Sequence, residues 1–246
     1  MAKSAFGRKF RQNLRRVDKR LKAYLADPED EESIHDIRVS IRRLDAMFSL
    51  LPKKMRRRYR GGIKKYREFL RANSNARDCD IIAGRLAVLG APGAADLQEK
   101  KKAELARAVR LARSLEKLPM QPGEPDGRRT DKMAGRLVGR IKATLPAVLS
   151  DGSRVEELHR MRRDFRRLRY ILDVVPSATG KRYMKKLQKA TGKDVPLEEL
   201  QDLLGSIHDC DITIEYLRGK GDRQVLGKEV ASRMRLYKKF VRYMEK

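Results

Sequence analysis

His35-Asp-Ile-Arg38-Val-Ser-Ile-Arg42-Arg43-Leu44 returns, 124 residues later, as His159-Arg-Met-Arg162-Arg163-Asp-Phe-Arg166-Arg167-Leu168. Both runs follow the pattern H-x-x-R-x-x-x-R-R-L. A second match lies downstream of each: Asp78-Cys-Asp-Ile81 and Asp209-Cys-Asp-Ile212, offset by 131 residues. The two offsets differ by seven residues, about two helical turns, which a helical hairpin absorbs without turning its faces far. Two matches in the same order indicate an internal duplication.

On a helical wheel with His35 at zero, Arg42 falls at about −20°, Arg38 at about −60° and Arg43 at about +80°. Ile34, Ile37, Ile41, Leu44, Phe48 and Leu51 fall between about 160° and 260°. The run therefore reads as a helix with one apolar stripe and an opposite basic face that carries the histidine. In the second copy Leu158, Met161, Phe165, Leu168, Leu172 and Val175 form the stripe, and His159, Arg162, Arg163, Arg166 and Tyr170 share the other face. A solvated outer face usually mixes acids among its bases to relieve their repulsion. These faces do not, and they favour Arg, whose planar fork suits phosphate oxygens.

Outward from these runs the chain reads as all-helical. Helix formers dominate, no stretch of alternating β-branched residues occurs, and Pro and Gly punctuate the periodic segments. The expected helices are about 4–26, 30–51, 53–74, 77–89, 94–117, 129–149, 153–175, 178–191, 196–206 and 209–245, the last interrupted near Gly219 and Gly221. Leu118-Pro-Met-Gln-Pro-Gly-Glu-Pro-Asp-Gly127, with three prolines and two glycines, cannot continue a helix. It separates an N-terminal half (1–117) from a C-terminal half (129–246), with 118–128 as linker.

Sixty Lys and Arg against 33 Asp and Glu leave a net charge of +27 over 246 residues. The excess is spread along the chain, with 31 basic residues in 1–120 and 29 in 121–246. Such a protein seeks anions: nucleic acid, an anionic membrane or a polymeric phosphate. A hydrophobic content of 40% is enough to bury a core. Cys79 and Cys210 make no disulfide framework, no signal-like apolar stretch opens the sequence, and no window approaches the ~18 apolar residues of a membrane span. The expectation is a cytoplasmic protein with no membrane partner.

The doubled H-x-x-R-x-x-x-R-R-L run, each copy followed by an Asp-x-Asp-Ile segment, resembles the conserved-histidine α-helical domain, or CHAD, family. The resemblance extends from about Phe6 to Phe240, so the chain reads as one CHAD-like domain, 1–246. It implies two helical bundles related by a pseudo-two-fold axis, with a basic central cleft lined by the histidine-bearing helices. It also implies binding of inorganic polyphosphate and association with polyphosphate granules. One departure stands out: Asn73-Ser-Asn75 occupies the place where many members have a Leu-Gly pair.

The candidate polyphosphate-binding residues are His35, Arg38, Arg42 and Arg43 in the first copy and His159, Arg162, Arg163, Arg166 and Arg167 in the second. Lys64 and Lys65 follow the first signature helix, and Lys185 and Lys189 follow the second, at the places the resemblance assigns to an extended phosphate track. Arg77 and His208 precede the two Asp-x-Asp turns, each turned toward the same cleft in this reading. The N-terminal helix, with Arg8, Arg11, Arg15, Lys19 and Lys22, is a weaker candidate.

The Asp-Cys-Asp segments lack the four N or S ligands of structural zinc, and they read as helix starts: Asp78 and Asp209 as N-caps, Asp80 and Asp211 at the positive end of the dipole. Gly180-Lys181 and Gly192-Lys193 lack the first glycine and the Ser or Thr of a nucleotide-binding loop. No nucleophile or paired carboxylates accompany the histidines, so the chain is read as a binding protein with no cofactor and no metal, not as an enzyme. Low-specificity nucleic-acid binding is the alternative, although an absence of Trp and 6% aromatic residues leave few stacking platforms. An enzyme acting on phosphorylated compounds is the remoter one. Oligomeric state is not legible.

Overall fold

The computed structural model describes residues 5–91, 95–118, 124–194, 196–220 and 222–245. Among them the chain is helical, with no strand: α1 (Ala5–Ala26), α2 (Glu31–Leu50), α3 (Lys53–Val88), α4 (Ala95–Arg113), α5 (Gly127–Ser150), α6 (Val155–Leu172), α7 (Ser177–Thr191), α8 (Leu197–Arg218) and α9 (Arg223–Glu245). Of the linker 118–128, residues 119–123 lie outside the described residues.

Two compact units are assembled from interleaved segments: 1–77, 99–134 and 170–180 make the first, and 78–98, 135–169 and 181–246 the second. In the first, α1 packs on α2 through Phe10, whose ring meets Phe48 edge-on at 5.4 Å, and Phe48 meets Tyr59 of α3 at 4.9 Å. Such aromatic pairs add about 0.5–1.5 kcal/mol each beyond the area they bury. Polar contacts fix the register: Asn13 Nδ2 donates to the Ser40 carbonyl at 3.0 Å, and Arg20 pairs with Asp36 at 2.8 Å.

Termini are capped by local chemistry. Asp30 accepts from the Ser33 amide at 2.8 Å and Glu31 and Glu32 sit in the first turn of α2, where carboxylates meet the positive end of the helix dipole. At the other end, the Ser49 and Leu50 carbonyls, unpaired within α2, accept from Arg129 Nε at 2.6 Å and the Asp126 amide at 2.9 Å. α3 stops at Gly90, whose φ of 71° places it in the left-handed region. There Ala91 N–H reaches the Leu86 carbonyl and Gly90 N–H the Ala87 carbonyl, a Schellman ending.

In the second unit Cys79, Ile82, Leu86, Leu97, Leu217 and Val225 form one apolar cluster. α9 adds Tyr237, Phe240 and Met244 to the core and, unusually, two buried charges, Glu229 and Arg233. Arg85 of α3 grips Glu229 with both Nε and Nη2, the latter bond at 2.8 Å. A charge that deep requires such a partner.

Two expected boundaries are absent. Segments 53–74 and 77–89 form a single helix, and so do 196–206 and the start of 209–245. Asp78 and Asp209 therefore lie inside α3 and α8 and cap nothing. Polar residues near the expected breaks bond to the helix itself: Asn73 Nδ2 to the Phe69 carbonyl at 3.1 Å, Ser206 Oγ to that of Asp202 at 3.1 Å, and Thr213 Oγ1 to that of Asp209 at 2.9 Å. Back-bonding to residue i−4 lets short polar side chains sit within a helix. The interruption near Gly219 is present, between α8 and α9.

Candidate functional site

In the first unit the apolar stripe of α2 is buried as the wheel requires, with Ile37, Ile41 and Leu44 at 0–1% exposure. On its basic face His35 is exposed and Arg42 and Arg43 are half-buried. Arg38 departs from the expectation of a solvated side chain: it is 6% exposed, and its Nη2 donates to Ser74 Oγ of α3 at 3.3 Å. α3 covers that part of the face. Arg43 Nε lies 4.0 Å from Asp173 Oδ2, at a cavity of about 390 Å³ also lined by Lys9, Arg16 and Met47. Lys65 is engaged by Glu116 at 2.6 Å, Lys64 stands near Glu68 at 3.9 Å, and Arg77 is exposed at the end of the unit's share of α3.

In the second unit α6 and α8 bring four of the predicted residues together. His159 Nε2 lies 3.0 Å from His208 Nδ1, the rings meeting edge-on with centroids 4.5 Å apart. Arg162 Nη2 lies over Gly205, 3.8 Å from where a Cβ would stand. Gly205, His208 and Asp211 follow one another at three-residue spacing and so share a face of α8. Burial, then the charges of Arg162, His159 and Arg166, lower the His208 ring from its ordinary 6.5 to about 4, against the pull of Asp211. At neutral pH this imidazole is uncharged amid cations.

Arg163 and Arg167 are exposed on α6, as are Lys185 and Lys189 on α7. Among the described residues no hydrogen bond or ion pair ties Lys185 or Lys189 to the His159–His208 cluster. Tyr170, expected on the basic face, is 5% exposed. Residues 170–180, the end of α6 among them, belong to the first unit.

Sequence reasoning missed two residues here. Asp211, expected at a helix start, is 8% exposed and holds His159 Nε2 at 2.9 Å through Oδ2. Its Oδ1 accepts from Arg233 Nε of α9, and Arg233 Nη1 also donates to the Gly152 carbonyl at 2.8 Å. Burial alone would raise the Asp211 carboxyl. The hydrogen bonds from His159 and Arg233, with the Arg233 charge, overcome it and hold the group below the usual carboxylate range. A signal for Arg233 exists in the sequence. Glu229, Arg233 and Tyr237 continue the apolar spacing of Phe240 and Met244, and charges on such a stripe mark buried pairs.

Among the described residues no group of three or more His, Cys, Asp or Glu is arranged to hold a metal ion, and no helix is long and apolar enough to cross a membrane. Cys79 and Cys210 are buried and not joined in a disulfide, and burial pushes the Cys210 thiol up to about 12. The site is therefore one of fixed cations and imidazoles, suited to holding phosphate oxygens, which only accept hydrogen bonds.

No curated protein matches the chain. The family model described as CHAD domain matches residues 8–218, taking in both signature helices and all of α8, with α9 beyond it. The match covers well over half of the 246 residues, and the chain belongs to the CHAD domain family.

Proposed function

We propose that the chain binds inorganic polyphosphate, without catalysing a reaction on it, through the basic faces of α2 and α6. The observation that carries this reading is the His159–Arg162–Arg166–His208 cluster. Its cations are concentrated enough to help hold a neighbouring imidazole uncharged, and the Asp211 carboxylate beside them already has Arg233 as a partner. A polymer with a charge on each phosphate is the kind of ligand that such a concentration of arginines and imidazoles suits.

The register of the two signature helices supports a duplicated site. Arg38 meets α3 at Ser74, 36 positions on, and Arg162 meets α8 at Gly205, 43 positions on. The difference is the same seven residues that separate the two sequence offsets. In this reading the halves repeat one another, and the basic face of each engages polyphosphate. Cytoplasmic location on polyphosphate granules follows from the same ligand.

Competition tests the ligand class. Bound labelled polyphosphate is challenged with unlabelled polyphosphate or with RNA at equal phosphate concentration. Polyphosphate should displace it at the lower concentration, since the site offers cations and few stacking surfaces. RNA displacing equally well would favour low-specificity nucleic-acid binding instead.

A further inference from the structure

The contacts of His159 restrict where its protons can be. Asp211 is ionised and can only accept, so the 2.9 Å contact requires a hydrogen on His159 Nε2. That nitrogen then cannot accept from His208. The 3.0 Å contact between the rings makes His208 Nδ1 a second acceptor of the same hydrogen, and it places the His208 proton on Nε2. Around these rings stand Arg162 and Arg166 of α6 itself, Asp211 and His208 of α8, and Arg233 of α9. Within this set Arg233 fixes the sense of Asp211: it occupies Oδ1 and is itself 7% exposed, tied to the Gly152 carbonyl.

We propose that Asp211, anchored by Arg233, holds His159 as the Nε2–H tautomer, so that this histidine can meet a phosphate oxygen only through Nδ1 and only after taking a proton from solvent. His208, by contrast, offers its Nε2–H while neutral and takes none. The two histidines thus have different parts in the proposed polyphosphate site, on which this inference rests. His159 couples binding to proton uptake, and His208 donates without it. Asp211 and Arg233 are positioning residues. Arg233 lies outside the matched family segment.

Asp211→Asn separates this from a structural role. Arg233 can only donate, so the amide oxygen must stay on Arg233, and the NH₂ group must then face His159 Nε2. That forces His159 to the Nδ1–H tautomer, and the 3.0 Å ring contact then puts the His208 hydrogen on Nδ1, so the two rings exchange tautomers. Imidazole nitrogen NMR on the ligand-free chain, about two units above the ordinary histidine value, reads the tautomer directly. The wild type should show Nε2–H at His159 and the variant Nδ1–H. Calorimetry of polyphosphate binding in buffers of different ionisation enthalpy should show proton uptake by the wild type.

Nδ1–H at His159 in the wild type, the same tautomer in both proteins, or no proton uptake on binding by the wild type would overturn the proposal. Should the variant fail to fold, the wild-type spectrum still decides the tautomer. If the wild type binds no polyphosphate, the ligand reading falls, and the coupling with it, whatever the spectra show.

Discussion

Replacing His208 by Gln should make the protein more resistant to mild acid, even though it removes a polar group from a packed site. The folded ring has its affinity for a proton lowered to about 4 by burial and by Arg162, whereas the unfolded ring keeps the ordinary 6.5. Between those values the unfolded chain binds a proton that the folded chain refuses, so stability falls as pH drops through 6.5 and the loss is complete below about 4. The full gap corresponds to about 3 kcal/mol. The ring is half-buried and partly screened by solvent, so about 1–2 kcal/mol is expected. Urea unfolding of wild type and His208→Gln at a series of pH values between 7 and 4.5 measures it. The two proteins share every other titrating group, so their difference isolates His208. Parallel curves would refute the argument and mean that His208 is solvated or paired as a cation.

Two further changes test the surroundings. Arg233→Ala leaves the Asp211 carboxylate buried beside the His159 Nε2–H, and it should cost about 3–5 kcal/mol in urea unfolding at neutral pH. A loss below about 1 kcal/mol, the value of an exposed pair, would contradict the buried assignment. Arg162→Ala with Arg166→Ala should keep the helical circular dichroism while lowering the salt slope of polyphosphate binding by about two, as two lost phosphate contacts would. An unchanged slope would remove α6 from the site.

The elements set by strong periodicity were legible in the sequence. α2 and α6 have the stripes their wheels predict, because six apolar residues on one face outweigh any local preference. The continuity of α3 and α8 was not. Asn73, Asp78 and Asp209 carry the chemistry of helix starts, and what overrode it was tertiary: Cys79, Ile82, Cys210 and Ile214 extend the buried stripe through those positions. Of the candidate site, the cations could be found from the pattern but their burial could not. Arg38 and Arg162 occupy matching wheel positions, and only the neighbouring helix decides that Arg38 is covered. The Asp211–Arg233 pair was hidden because it joins residues 22 positions apart on different helices.

The central claim is multivalent capture of a polyanion by fixed cations, and its most direct test is a titration with polyphosphate of defined length at 50 and 200 mM salt. A chain engaging about 6–10 basic side chains releases a comparable number of counter-ions, so affinity should fall about 10³–10⁵-fold between the two conditions, with duplex DNA as the guide. An affinity nearly independent of salt would contradict the account and point to a small pocket that reads specific groups.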